Sequence, residues 1–172
     1  NLRGAIERDL PDQAPSFFFV DIQKDQMPGF MARMERDTGV SRIDQAPMLR
    51  GIITRINGRP AAEVAGNHWV LEGDRGVSYA AAQPARVTVT EGEWWHENYT
   101  GEPLVSFSAE EGAEMGLKIG DMLTVNILGR DITAEVTSFR EVDFSTAGIG
   151  FILSMNPGAL QGAPHSFIST VY

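Results

Sequence analysis

The stretch LVSFSAEEGAEMGLKIGDMLTVNILGRDITAEV, residues 104–136, carries the reading of the fold. Leu104 to Phe107 is a short apolar run and reads as a strand. Ser108 and Glu111 then form the S-x-x-E pattern of a capping box, in which the hydroxyl accepts from the third helical amide and the carboxylate reaches back. The helix is short, because Gly116 stands where a left-handed residue ends a helix, with apolar Leu117 after it. Leu123, Val125 and Ile127 alternate with polar neighbours, and so do Ile132, Ala134 and Val136. A period of two on both sides of Gly129-Arg130 predicts a β-hairpin. Strand, one-off helix and hairpin together point to the α+β class.

The flanks add more strands. Towards the C-terminus, residues 150–154 read as a strand, Pro157-Gly158 as a turn and 166–171 as a final strand. Towards the N-terminus, Val87 and Val89 alternate with Thr88 and Thr90, and 77–82 forms another strand. Between Gly66 and Gly76 a polar, Gly-rich connection surrounds His68-Trp69. Residues 47–57 are β-rich through Leu49, Ile52, Ile53 and Ile56, with Asn57-Gly58 as a turn signal and Pro60 closing it. Phe17 to Ile22 is apolar apart from Asp21 and lacks alternation, which suggests a strand covered on both faces. Pro28 suits a first helical turn; Phe30, Met31 and Met34 then share one helical face, and Gly39 ends the helix. Residues 1–15 are polar, with Pro11 and Pro15 as breakers, and read as a linker.

Composition bounds the function. The 172 residues hold 14 Lys+Arg against 23 Asp+Glu, a formal charge of −9, and no cysteine. That length supports a real core in one domain or two small lobes. The acidic balance argues against non-specific binding to nucleic acid or to an anionic membrane surface. Without Cys there is no disulfide framework, thiol nucleophile or Cys-ligated zinc. No stretch approaches the ~20 apolar residues of a membrane helix. The first ten residues carry Arg3, Glu7, Arg8 and Asp9 and no apolar leader core; the chain also starts on Asn1 rather than Met and reads as a soluble piece excised from something larger.

Catalytic motifs are not evident. There is no G-x-S-x-G elbow, and a triad assembled from scattered Ser, His and Asp carries no weight without geometry. His96-Glu97 has no second His at the helical spacing of a zinc protease, and no calcium loop is present. His68, His96 and His165 are read as solvent-facing or locally bonded. Gly73-Asp74-Arg75-Gly76 lacks the Lys-Ser/Thr of a phosphate loop. No cofactor and no metal site is expected. The unusual local feature is Trp94-Trp95. Adjacent residues of a strand point to opposite faces, so one ring can be core and the other exposed; the simpler alternative is that both pack. Trp94, Trp95, Phe30, Met31 and Met34 are the candidate interaction surface.

The ordered segments resemble the periplasmic region of FtsX-like/MacB-like ABC transporter permeases, in the branch associated with a lysophospholipase/thioesterase. The resemblance rests on Ala14 to Gln23 (APSFFFVDIQ), on Pro47 to Ile53 through Asn57-Gly58, and on Val77-Ser78-Tyr79. It continues in Glu91 to Trp95, Met115 to Asp121 (MGLKIGD), Ser138 to Asp143 and Asn156 to Leu160. It covers about residues 14–172. Ser108 stands where the family often has an acidic residue and Phe144 where a Trp is usual, and Gly148 to Phe151 replaces a more aromatic run.

The resemblance implies a two-lobed MacB-like periplasmic domain. A porter-like α/β lobe would use 14–60 with 147–172, a mainly β inserted lobe would use 61–146, and 1–13 would be a linker from a membrane helix. The family's membrane-proximal lobe usually continues past a strand like Ser166–Tyr172. The implied setting is the periplasmic portion of a bacterial inner-membrane protein. A separate cytoplasmic ATPase subunit would hydrolyse ATP, and the permease would transmit that motion to a lipid, a lipoprotein, a hydrophobic compound or a partner. A periplasmic esterase is a further implied partner. The domain itself would catalyse nothing. Two other readings compete: a stand-alone periplasmic β-rich binding or adaptor module, and an esterase, the latter suggested only by that branch's association.

Overall fold

The computed structural model describes residues 17–23, 43–85, 87–141, 151–160 and 166–171, with side chains described for 46–85, 87–141 and 151–160. The chain divides into two compact units. The first comprises 1–47, 143–150 and 165–172; the second comprises 48–142 and 151–164. These boundaries differ from the sequence division at 60/61 and 146/147. Pairing of residues 49–56 with Arg75–Tyr79 and Met122–Ile127, and of Leu153–Met155 with Arg75–Tyr79 and Leu104–Ser108, joins these segments to the central β segments.

In the first unit, β1 (Phe17–Gln23) pairs antiparallel with β10 (Ser166–Val171), from Phe17 opposite Val171 to Gln23 opposite Ser166. The register shifts between Phe19 and Ile22. Both strands were expected from the sequence, the first from its apolar run. The faces of the β1 side chains, the expected helix of Pro28–Asp37, the linker 1–13 and His165 lie outside the described residues.

The second unit is built on a ring of strand pairings. Its members are β2 (Ile43–Ile56, from Met48 on), β4 (Arg75–Tyr79), β9 (Leu153–Met155), β6 (Leu104–Ser108), β8 (Arg130–Glu141) and β7 (Met122–Ile127). β2 pairs antiparallel with β4, β4 parallel with β9, β9 antiparallel with β6, and β6 parallel with β8. β8 pairs antiparallel with β7, and β7 pairs back onto β2, which closes the ring. Closure satisfies the ladder groups that an open sheet would leave at its edges. Gly51 sits where β2 faces both β4 and β7. A Cβ there would stand 2.8 Å from Val125 Cγ1, so only hydrogen fits between the packed side chains.

The core follows the alternation seen in the sequence. Leu123, Val125 and Ile127 of β7 and Ile132, Ala134 and Val136 of β8 are buried with Ile53, Val77, Val105, Phe107 and Leu153. The β7–β8 loop is two residues, Leu128-Gly129, with φ of 53° and 84°, rather than Gly129-Arg130; Arg130 already pairs with Ile127. Asn57-Gly58, with φ of 52° and 79°, makes the matching turn from β2 into β3 (Arg59–Pro60). Positive φ at both central positions is the turn that fits the twist of a hairpin. The turns differ in support. Asn57 donates its N–H to the Met122 carbonyl at 2.7 Å and accepts from the Met122 amide at 2.8 Å, while Leu128 is 70% exposed.

Among the described residues three short helices interrupt the strands: α1 (Ala61–Ala65), α2 (Ala109–Met115) and α3 (Pro157–Leu160). Pro157-Gly158 therefore opens a helical turn rather than a reverse turn, consistent with the pre-set φ of proline at a first helical position. A single 3-10 turn, Trp69–Leu71, lies within the expected irregular connection. α2 ends as its glycine predicts: Gly116 is left-handed and Leu117 donates to the Gly112 carbonyl at 2.8 Å. Its start does not. The Ser108 hydroxyl bonds the Glu111 carboxylate itself, and the Ser108 amide goes to the Ile152 carbonyl at 2.9 Å. The capping box fails because β6 runs into the helix, and pairing with the chain before β9 takes the amide that Glu111 would have reached.

The MGLKIGD segment has a structural role. The Asp121 carboxylate accepts from the Lys118 amide at 2.9 Å and from the Asn57 side chain at 3.1 Å. The Asp121 carbonyl accepts from Val136 at 2.8 Å. This node ties the Asn57-Gly58 turn to the β7–β8 hairpin.

Candidate functional site

The site forms beside β5 (Thr88–Gly92), which pairs with β8 on one side and ends the sheet on the other. Gly92 ends the strand with φ of 76°, and a Cβ there would collide with the Thr137 carbonyl oxygen. Only glycine allows both the left-handed turn and that approach. Glu93 still donates its amide to the Thr137 carbonyl at 3.2 Å, and beyond it the chain leaves the ladder, so the two tryptophans are not strand neighbours on opposite faces. Their rings pack on one another, with centroids 4.3 Å apart and planes at 37°. Trp94 Nε1 donates to the Ala81 carbonyl at 3.2 Å and Trp95 Nε1 to the Ala80 carbonyl at 2.9 Å. Two consecutive indoles thus bond two consecutive carbonyls and hold the β4–β5 connection. Trp95 is buried, at 8% exposed, and Trp94 is half-buried.

Trp94 then forms part of an open groove of about 1080 Å³, with Val87, Val89, Tyr99, Leu104 and Ile119 as its apolar lining. Tyr99 is fixed by donating its hydroxyl to the Glu102 carbonyl at 2.8 Å. Ile119 is 41% exposed and projects from the turn that Asp121 organises. Thr137 also lines the groove, and its buried hydroxyl oxygen has no hydrogen-bond partner.

Of the sequence candidates, Trp94 and Trp95 come together here. Phe30, Met31 and Met34 lie outside the described residues. Ile119 was missed as a groove residue because nothing in its local pattern marks it. Arg140 was passed over too, although it continues the inward period of Ile132, Ala134, Val136 and Ser138. Arg140 is 4% exposed. It donates from Nη2 to the Phe151 carbonyl at 2.7 Å and to Ser154 Oγ at 3.3 Å, and its Nε is buried without a partner. Among the described residues no carboxylate pairs with it, and burial lowers its pKa to about 10.

The histidines divide by position. His68 accepts from the Val70 amide at Nδ1 (3.2 Å), and its Nε2 lies 2.7 Å from Glu114, so both ring nitrogens are engaged locally. His96 is exposed at the groove mouth. Among the described residues no group of three or more His, Asp or Glu is placed to hold a metal. No helix among them is long and apolar enough to cross a membrane.

No family model matches the sequence. The chain is 26% identical over 176 residues to the uncharacterized ABC transporter permease YbbP of Escherichia coli (strain K12), an alignment covering 98% of this chain and 21% of that protein. The chain thus spans about a fifth of the length of that relative, and it is distantly homologous to an ABC transporter permease. A solved structure described as "a domain of a putative permease protein from Porphyromonas gingivalis" matches with a TM-score of 0.40 and 13% identity, over 82% of this chain and 64% of that one. The fold itself is mixed α/β and rich in strands.

Proposed function

We propose that the chain is the extracytoplasmic domain of an ABC transporter permease of the FtsX-like/MacB-like kind. It performs no catalytic step. ATP is hydrolysed by a separate cytoplasmic subunit, and the domain passes the resulting motion to the periplasm to move or release a lipid, a lipoprotein or a hydrophobic compound. Its two units act as the porter-like lobe and the mainly β lobe, and the Trp94 groove is the contact surface. An esterase is a further candidate partner. The observation that carries the reading is an alignment running through 98% of this chain to part of a much longer permease.

The absence of cysteine provides the test. A single Cys at exposed Asp74 (Asp74→Cys), in a parent protein otherwise free of Cys, is expected to react with a membrane-impermeant maleimide in intact spheroplasts. Reaction only after lysis would reverse the proposed orientation. The second reading, a stand-alone β-rich binding or adaptor module, is favoured by the closed pairing ring, which brings its own core. It predicts that the native protein is recovered without detergent.

A further inference from the structure

We propose that Asn57 is a site of spontaneous deamidation, and that the aspartate or isoaspartate formed there opens the node between the β2–β3 turn and the β7–β8 hairpin. The proposal is independent of the permease reading. Three observations meet at this turn.

The first is the nucleophile. Deamidation needs the backbone nitrogen of the following residue to reach the asparagine Cγ, and a side chain on that residue obstructs the approach. Asn57 is the one asparagine of the sequence that glycine follows. Asn67, Asn98 and Asn126 precede His68, Tyr99 and Ile127, and Asn156 precedes Pro157, which has no N–H to lose. Asn57 and Gly58 are exposed, and even a Cβ built on Gly58 would meet nothing within 4 Å. Among the described residues the Gly58 amide donates to no carbonyl, because the hairpin ladder resumes at Arg59, opposite Ile56.

The second is the electrophile. Asn57 Oδ1 accepts from the Met122 amide at 2.8 Å. A donor fixed on that oxygen draws electrons from Cγ and stabilises the negative charge that gathers on the oxygen during attack. The Gly58 nitrogen loses its proton to a base in solvent and bonds to Asn57 Cγ. The Cγ–Nδ2 bond breaks, and the departing nitrogen takes a proton from water and leaves as ammonia. Water then opens the cyclic imide at either carbonyl. One product is aspartate; the other is isoaspartate, in which the main chain runs through Cγ.

The third is what the product meets. Asn57 Nδ2 donates to the Asp121 carboxylate at 3.1 Å. The same carboxylate accepts from the Lys118 amide at 2.9 Å and so shapes the turn that carries Ile119. Deamidation removes the donor and sets a second negative charge against the first. Isoaspartate also adds a main-chain carbon to a turn of two residues, which spoils the Ile56–Arg59 register. A reaction on the exposed turn therefore loosens the Ile119 wall of the groove.

The test ages the whole 172-residue chain at pH 8 and follows its peptides by mass spectrometry. The peptide spanning Asn57 is expected to exchange NH2 for OH at least tenfold faster than those carrying Asn67, Asn98 or Asn126. The fraction of aged chain that melts early is expected to match the deamidated fraction. Asn57→Asp carries the aspartate product directly and is expected to lower Tm by about 4–8 °C. The double variant Asn57→Asp/Asp121→Asn exchanges donor and acceptor, and is expected to recover most of that loss. Deamidation at Asn57 no faster than at the other asparagines would overturn the site. An unchanged Tm in Asn57→Asp, or no recovery in the exchanged pair, would overturn the opening of the node.

Discussion

One strand, β8, serves two different regions. Its first half pairs with β7, which has β2 on its other side, and the residues of β7 are largely buried. Its last residues pair with β5, which has no further strand neighbour among the described residues and is mostly exposed. The ladder chemistry is the same in both places. The difference is whether a second partner exists. Where it does, alternation builds a core; where it does not, the chain holds the edge in place with a glycine turn and two tryptophans instead.

The largest expected effect tests whether the edge is anchored as firmly as the ring. Trp95→Ala is expected to destabilise by about 3–5 kcal/mol, comparable to a large core deletion, because it removes a buried ring and leaves the Ala80 carbonyl without its donor. Trp94→Ala, at a half-buried ring, is expected to cost about 1–3 kcal/mol. Urea denaturation of both variants measures the gap. Equal losses would mean that Trp94 is as much core as Trp95 and a poor contact residue.

Gly92→Ala is expected to cost about 2–4 kcal/mol and to shift near-UV circular dichroism, since the clash with Thr137 would displace the indole pair. An unchanged spectrum would show that the pair is placed by something other than this turn.

Arg140 separates burial from stability. Its folded pKa of about 10 lies below the ordinary arginine value, so between the two the folded chain binds fewer protons than the unfolded one. Its contribution to stability therefore rises with pH across that window, and at neutral pH the cost of burying the charge is fully present. Arg140→Met removes that cost and two hydrogen bonds, and is expected to change stability at pH 8 by less than about 1 kcal/mol. A loss above 3 kcal/mol would mean that the guanidinium holds its surroundings together. The smallest effect concerns the ring's turn: Leu128→Asn is expected to stabilise by about 0.5–1 kcal/mol, because Asn tolerates a φ of 53° better than Leu.

The same contrast explains what the sequence revealed. The β7–β8 hairpin, the β2–β3 turn and the end of α2 are local, and period, turn residues and Gly116 made them legible. The ring was not, because β9 enters between β4 and β6 from about fifty residues beyond β6. The capping box failed for a related reason: a long-range pairing took the Ser108 amide. At the site, the Trp-Trp pair was visible but its direction was not, since Gly92 removes it from strand geometry. Ile119 and Arg140 acquire their places only through partners distant in sequence.

Amide hydrogen exchange tests the central contrast most directly. The amides of β5, Thr88 to Gly92, are expected to exchange faster than those of β7, Leu123 to Ile127. Equal exchange in the two strands would contradict the account.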